Sequence, residues 1–149
     1  MTDSLGKFVL LTNLAATLVM IGVIWFVQVV HYPLFARVGG TGYNAYQATH
    51  QTLTTFIVMP PMLVEMATAW LLLAVRPPQI PLWAVWLGIL LVLVIWLATF
   101  FLSVPLHAVL ATGFDAAAHQ RLVASNWVRT IVWSLRGALL LYLTARLLK

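Results

Sequence analysis

Four stretches of this chain are apolar over lengths that few soluble proteins contain, and each is long enough to cross a bilayer. A helix spans the hydrocarbon core with about 20 consecutive apolar residues. The stretches cover residues 8–30, 52–75, 82–106 and 127–145. Only Glu65, Arg129 and Arg136 place a charge inside them. We therefore predict an all-α fold in which residues 1–149 form a single membrane domain, a four-transmembrane-helix bundle.

The composition excludes several other classes of protein. Hydrophobic residues make up 63% of the chain and charged residues 7%, whereas soluble domains average roughly 45–50% and about 25%. The chain has no cysteine, which excludes disulfide scaffolds, iron–sulfur clusters and thiol catalysis. The eight Lys and Arg residues are scattered between the apolar stretches without forming a basic stripe. The expected partner is therefore the lipid bilayer and not nucleic acid.

The positive charges predict an orientation in the membrane. One side would hold Lys7, Arg76, Arg146 and Lys149, and the other would hold Arg37 and Arg121. Cytoplasmic segments carry the excess of Lys and Arg. Both termini are therefore expected in the cytoplasm, with the chain in the inner membrane of a bacterium. The long connections at residues 32–51 and 107–126 would face outward, and each is expected to hold interfacial helices.

The two halves of the chain resemble each other at an offset of about 71 residues. Trp25 corresponds to Trp96, and the end of the first stretch (VHYPLF) corresponds to the end of the third (SVPLH). Both halves would enter the membrane from the same side, so the pattern favours two pseudo-repeated helical hairpins. The same offset aligns Glu65 in the second stretch with Arg136 in the fourth.

Glu65 and Arg136 are the two residues whose burial in hydrocarbon costs the most free energy. An unpaired charge near the bilayer centre costs at least about 2.5–3.5 kcal/mol. We therefore predict that the two side chains contact each other, or share one ligand, in a polar bundle interior. Two interpretations stay open: a buried ion pair that fixes helix register, or a site for a proton, an anionic head group or a propionate-bearing cofactor.

The histidines indicate a second site. All four lie at or near one membrane face, where an outer connection meets a helix end: His31, His50, His107 and His119. We predict that at least two of them converge above the bundle core. Imidazole is the commonest metal ligand and suits zinc, copper and iron, so the four are candidate metal ligands. The alternative is a set of interfacial imidazoles that bridge water and lipid head groups.

Further candidates for cofactor binding lie on the same polar faces as the histidines. Gln28 and Asn126 are placed to bond the outer ring nitrogens of the imidazoles and so fix their tautomers. Arg129 would supply the positive charge that a haem propionate or another anionic group needs. Trp133 lies between two arginines on the polar stripe of the last stretch. With Glu65 and Arg136, these residues complete the predicted cofactor site.

A resemblance to known proteins rests on several of these residues. The runs WFVQVVHYPLF (residues 25–35) and VMPPMLVE (residues 58–65) resemble a family of small bacterial four-span membrane proteins without an assigned function. The layout is more distantly similar to the haem-binding membrane protoporphyrinogen oxidases and to the copper-resistance D proteins, with residues 126–129 approximating their Arg-x-x-Asn-type stretch. Those oxidases have a lysine on the third helix, whereas the lysines here are Lys7 and Lys149. The resemblance implies a cofactor-bearing redox bundle that binds haem or a transition metal ion.

Three classes of function therefore remain open. The first is a redox or oxygen-handling membrane protein whose histidines hold haem or a metal ion. The second is a small transporter or channel unit, in which Glu65 and Arg136 line a path that a homo-oligomer completes. The third is a non-catalytic membrane subunit that packs against a larger complex. Whether the protein is an enzyme also stays open.

Overall fold

The computed structural model describes residues 2–147, and this part of the chain is almost entirely helical, with no strand. Its four long helices are α1 (Asp3–Arg37), α2 (Gly40–Val75), α3 (Leu82–Ala111) and α4 (Ala116–Leu147). Each is long and apolar enough to cross a membrane. The predicted all-α four-helix membrane bundle is therefore confirmed. Lys149, one of the charges that predicted the orientation, lies outside the described residues.

The helices are longer than the apolar stretches that predicted them. The second helix has 36 residues, or about 54 Å of helix, against about 30 Å of hydrocarbon. The prediction of separate interfacial helices within residues 32–51 and 107–126 is wrong, because most of these residues continue the membrane helices. A helix satisfies its own backbone hydrogen bonds and so passes through the interface unbroken. Only residues 38–39 and 112–115 separate the helices at this end.

Two helices contain a single π-helical turn just before a proline. The turn in α1 is Val27–His31 and precedes Pro33, and the turn in α3 is Thr99–Ser103 and precedes Pro105. Proline lacks an N–H, and its ring clashes with the carbonyl four residues earlier. The wider π turn places the hydrogen bond five residues back and lets the helix continue. Both halves of the chain share this feature, which agrees with the predicted internal repeat.

The helices form a ring in chain order. The first helix packs against α2 and α4, and α3 packs against the same two. Leu10, Ile80 and Leu143 pack together at one end of the bundle, called here the terminal end. Phe35 and Leu122 belong to a separate apolar cluster at the other end, called here the histidine end. The chain therefore runs up, down, up and down, which places residues 2 and 147 at the terminal end.

Large apolar side chains cover the outside of the bundle. Phe8, Phe56 and Phe101 are each at least two-thirds exposed. In a soluble protein such side chains would be buried, whereas here they form the surface that contacts lipid. Polar side chains lie inside the bundle instead, because hydrocarbon offers them no hydrogen-bonding partner.

The packing of the terminal end includes a close approach between α1 and the last turn of α2. A substitution at this contact can test the packing. A Cβ added at Gly6 would clash with the backbone carbonyl of Val75 and lie 3.0 Å from Pro77 Cδ. A Cβ added at Gly22 meets nothing within 4 Å. Since overpacking costs about 1–3 kcal/mol, we expect Gly6→Ala to lower the melting temperature in detergent by several degrees. Gly22→Ala is the matched control, and equal melting temperatures for the two variants would contradict this packing.

Candidate functional site

The polar interior is divided into two layers. The ionic layer, nearer the terminal end, consists of Asn13, Thr17, Glu65, Trp133 and Arg136. The histidine layer, at the histidine end, consists of His31, Tyr32, Gln47, His50, His107 and Arg129. Between them lies an apolar cluster in which Met20, Ile24, Met62 and Ile95 pack with the ring of Trp133. The two layers are therefore separate polar sites within one bundle.

The carboxylate of Glu65 forms the centre of the ionic layer. Its Oε1 accepts hydrogen bonds from Thr17 Oγ1 at 2.6 Å and from Arg136 Nε at 3.3 Å. Its Oε2 accepts a bond from Trp133 Nε1 at 3.0 Å. All four residues are fully buried. The predicted contact between Glu65 and Arg136 is therefore confirmed.

The guanidinium of Arg136 extends this layer to the remaining helices. Nη1 donates to the carbonyl oxygen of Gly88 on α3, and Nη2 donates to Asn13 Oδ1 on α1 at 2.9 Å. Asn13 Nδ2 in turn donates to the carbonyl oxygen of Glu65 at 3.0 Å. Within residues 2–147, no buried side-chain nitrogen or oxygen of this layer lacks a partner. The geometry therefore favours the interpretation in which the pair fixes helix register.

A double-mutant cycle tests this interpretation. Removing one partner of a buried ion pair costs about 3–5 kcal/mol, because the other charge is left unpaired. We expect Glu65→Gln and Arg136→Gln each to destabilise the bundle by about that amount, and the double variant to lose less than the sum of the two. Unfolding in mixed micelles measures all three changes.

The control for this cycle is the exposed pair formed by Lys7 and Asp3, 2.6 Å apart on one face of α1. Lys7→Gln removes a charge that solvent already screens, so it should change stability by less than about 1 kcal/mol. Additive effects of the Glu65 and Arg136 substitutions would show that the two residues act independently.

Three of the four predicted histidines come together in the histidine layer. His31 Nε2 lies 2.8 Å from His50 Nδ1, so the two rings share one hydrogen bond. The ring of His50 lies 5.3 Å from that of His107, measured between centroids. His119 lies apart from this cluster: its Nε2 bonds the carbonyl oxygen of Tyr32 at 2.8 Å, and its ring packs against Phe114. This position ties the first turn of α4 to α1.

His107 is held at both ring nitrogens. Gln47 Nε2 lies 2.9 Å from Nδ1, and the Tyr32 hydroxyl lies 2.9 Å from Nε2. The amide of Gln47 and the hydroxyl of Tyr32 therefore occupy both ring nitrogens of His107. The Tyr32 hydroxyl also accepts a bond from Arg129 Nη2 at 3.1 Å. A continuous set of hydrogen bonds thus runs from α2 to α4.

Gln28 and Asn126 do not contact the imidazoles that they were predicted to orient. Asn126 Nδ2 donates to Gln28 Oε1 at 2.8 Å, and Arg129 Nη2 donates to Asn126 Oδ1. The two residues therefore position Arg129, whereas Tyr32 and Gln47 orient His107. Sequence reasoning missed these last two residues. The signal for Gln47 was its position three residues before His50, which places both on one helical face.

A metal ion or haem fits this arrangement poorly. In the described part of the chain, no group of three or more His, Asp or Glu side chains is arranged to hold a metal ion. His107 is committed to protein partners at both nitrogens. Among the cavities found in residues 2–147, the one that Arg129 lines has a volume of only about 50 Å³, whereas sites for small organic ligands usually measure roughly 300–1,000 Å³.

A larger cavity lies on the lipid-facing side of the histidine layer. It is a groove between α1 and α2 with a volume of about 420 Å³. Its lining is apolar except for His31 and Thr54, and Gly22 forms part of its floor. The exposed side chains of Phe26 and Ile57 border it, which places its mouth on the surface that contacts lipid. We refer to it below as the lateral groove.

The lateral groove shares a wall with the internal 50 Å³ cavity. Four residues line both: Val23, Val27, Thr54 and Val58. On its inner side the small cavity is lined by Tyr32, Thr99, Arg129 and Trp133. Arg129 and Tyr32 are therefore separated from the lateral groove by one layer of side chains, whereas Glu65 and Arg136 line neither cavity.

Comparisons of the chain with protein-family models, with curated proteins and with solved structures found no match.

Proposed function

We propose that this integral membrane protein binds a lipid-soluble molecule in the lateral groove, with the polar group of that molecule against the histidine layer. The observation that carries the proposal is the position of His31. Its ring lines an apolar groove that faces lipid, and its Nε2 is bonded to His50. Apolar cavities with a few convergent polar groups are the usual form of small-molecule sites.

The size and the access route of the groove support this proposal. Its volume of about 420 Å³ lies within the range of small-molecule sites. Its mouth lies among lipid-facing side chains, so a ligand would enter from the bilayer.

The positive charges give the proposed site an orientation. Lys7, Arg76 and Arg146 belong to the terminal end, which the excess of Lys and Arg would keep in the cytoplasm. His50 lies 25 residues before Val75, or about 38 Å along α2. The histidine layer would then lie near the outer face of a bacterial inner membrane.

Filling the lateral groove tests the proposed function. Gly22 lines the groove, and a Cβ added there meets nothing within 4 Å, so the side chain of Gly22→Phe has room to begin at this wall of the groove. Val19→Phe adds a ring elsewhere on the lipid-facing surface of α1, where Val19 is 54% exposed. We expect organic extracts of the purified wild type and of Val19→Phe to contain a lipid-soluble molecule at about one per chain, and Gly22→Phe to lose it. Equal amounts in all three proteins, measured by mass spectrometry, would contradict the proposal.

Binding of a transition metal ion is the second candidate function. It is favoured by one observation, the distance of 2.8 Å between His31 Nε2 and His50 Nδ1. These two nitrogens would supply ligands to copper, zinc or iron, and such an ion would supply redox or Lewis-acid chemistry. His107 would have to leave Tyr32 and Gln47 before it could add a third ligand.

Metal analysis separates the two candidates. We expect the protein, after incubation with copper, zinc, iron or haem and removal of the excess, to retain far less than one metal or haem per chain, because a third ring nitrogen is not free. Elemental analysis and a visible spectrum measure this. One metal ion per chain, lost in His50→Gln and retained in the control His119→Gln, would establish the metal site in place of the groove ligand.

A further inference from the structure

Arg129 carries a buried positive charge that the described part of the chain does not balance. It is 8% exposed. The chain has three acidic residues, and all are engaged elsewhere: Asp3 and Glu65 in ion pairs, and Asp115 at the first turn of α4. A lone guanidinium in hydrocarbon costs about 2.5–3.5 kcal/mol or more at the bilayer centre and less towards the interface. Arg136, seven residues further along the same helix, has the carboxylate that Arg129 lacks.

One hydrogen-bond donor of this guanidinium is also left over. Arg129 Nη2 is used by Tyr32 and Asn126, but Nε is buried and has no partner. Buried donors are normally satisfied. A missing acceptor is therefore expected at this point.

The small cavity is the place where such an acceptor fits. Arg129 and Tyr32 both line it, together with the hydroxyl-bearing residues Thr54 and Thr99. Its volume is about 50 Å³, whereas one water needs roughly 10–15 Å³ measured in the same way. A group of a few heavy atoms, such as a carboxylate, can be accommodated, and a glycerophosphate head group is too large.

We infer that the ligand of the lateral groove is a carboxylate-bearing amphiphile of the fatty-acid class, whose carboxylate binds Arg129 in the small cavity while its chain lies in the groove. The inference rests on the proposed function and names the ligand class of that same site. The shared wall of Val23, Val27 and Val58 separates the two spaces, so these side chains move when the ligand enters. Charge-assisted hydrogen bonds between guanidinium and carboxylate are the strong ones.

The test measures direct binding of tritiated palmitate and tritiated hexadecanol to the purified chain in a neutral detergent. The two probes have the same chain and differ only in the carboxylate. We expect palmitate to bind at least about tenfold more tightly than hexadecanol, since a hydrogen bond to a charged group contributes that much. Arg129→Gln should abolish this preference, so that palmitate binds no more tightly than hexadecanol. Arg121→Gln, which removes an exposed charge from the same helix, should preserve it.

A conservative variant covers the case in which Arg129→Gln fails to fold. Arg129→Lys keeps the charge and loses the planar fork of donors, so it should bind palmitate more weakly than the wild type and still more tightly than hexadecanol. Competition with unlabelled acetate separates the two sources of a carboxylate. Displacement of palmitate by acetate at similar concentrations would show a site for free anions and would overturn the inference.

The remaining outcomes distinguish this inference from the proposed function. If palmitate and hexadecanol bind equally, and Gly22→Phe abolishes both, the groove function stands and the carboxylate inference fails. If neither Gly22→Phe nor Arg129→Gln changes the binding of either probe, the proposed function and the carboxylate inference both fail. A palmitate preference that Arg121→Gln removes and Arg129→Gln preserves would place the anion elsewhere and would also overturn the inference.

Discussion

A carboxylate and a guanidinium within a membrane bundle are stable only as a neutralised and fully hydrogen-bonded set, and the arrangement of the four helices follows from this constraint. Glu65 on α2 and Arg136 on α4 lie diagonally across the ring, so they meet only at its centre. Asn13 on α1 and the Gly88 carbonyl on α3 accept one hydrogen bond each from the two Nη nitrogens of the guanidinium. If one helix moved along its axis, Glu65 or Arg136 would lose a hydrogen-bonding partner. The pair therefore links all four helices at one level of the bundle.

The histidine layer differs from the ionic layer in its unsatisfied groups. Arg129 and Arg136 lie on the same face of α4, yet only Arg136 has a carboxylate partner. The wall beside Arg129 is a single layer of side chains, because Val23, Val27, Thr54 and Val58 line both the small cavity and the lateral groove. The unbalanced charge behind this wall is the feature on which the proposed binding of a ligand rests. The balanced charge of Arg136 lies among fully buried side chains.

Sequence reasoning predicted a contact correctly where the chemistry of one residue required a particular kind of partner. Glu65 had to be paired, and the sequence offered Arg136 at the matching depth. It failed where the answer depends on distances between helices. His119 is on the predicted face of its helix, but its ring bonds a backbone carbonyl and not another histidine. The lateral groove depends on the distance between α1 and α2, and a pattern of apolar residues does not determine that distance. Hydropathy likewise predicted which residues cross the membrane but not where each helix begins and ends, because a helix continues wherever its backbone hydrogen bonding allows.

The central claim is that one polar layer is closed and the other is open to a ligand from the membrane. The most direct measurement is an experimental density map of the wild-type chain in lipid nanodiscs, at a resolution that shows side chains. The account predicts density in the lateral groove that continues past Thr54 to Arg129, and no density between Glu65 and Arg136 other than their own side chains. A ligand bound at the ionic layer, with the groove holding only the diffuse density of bulk lipid, would contradict it.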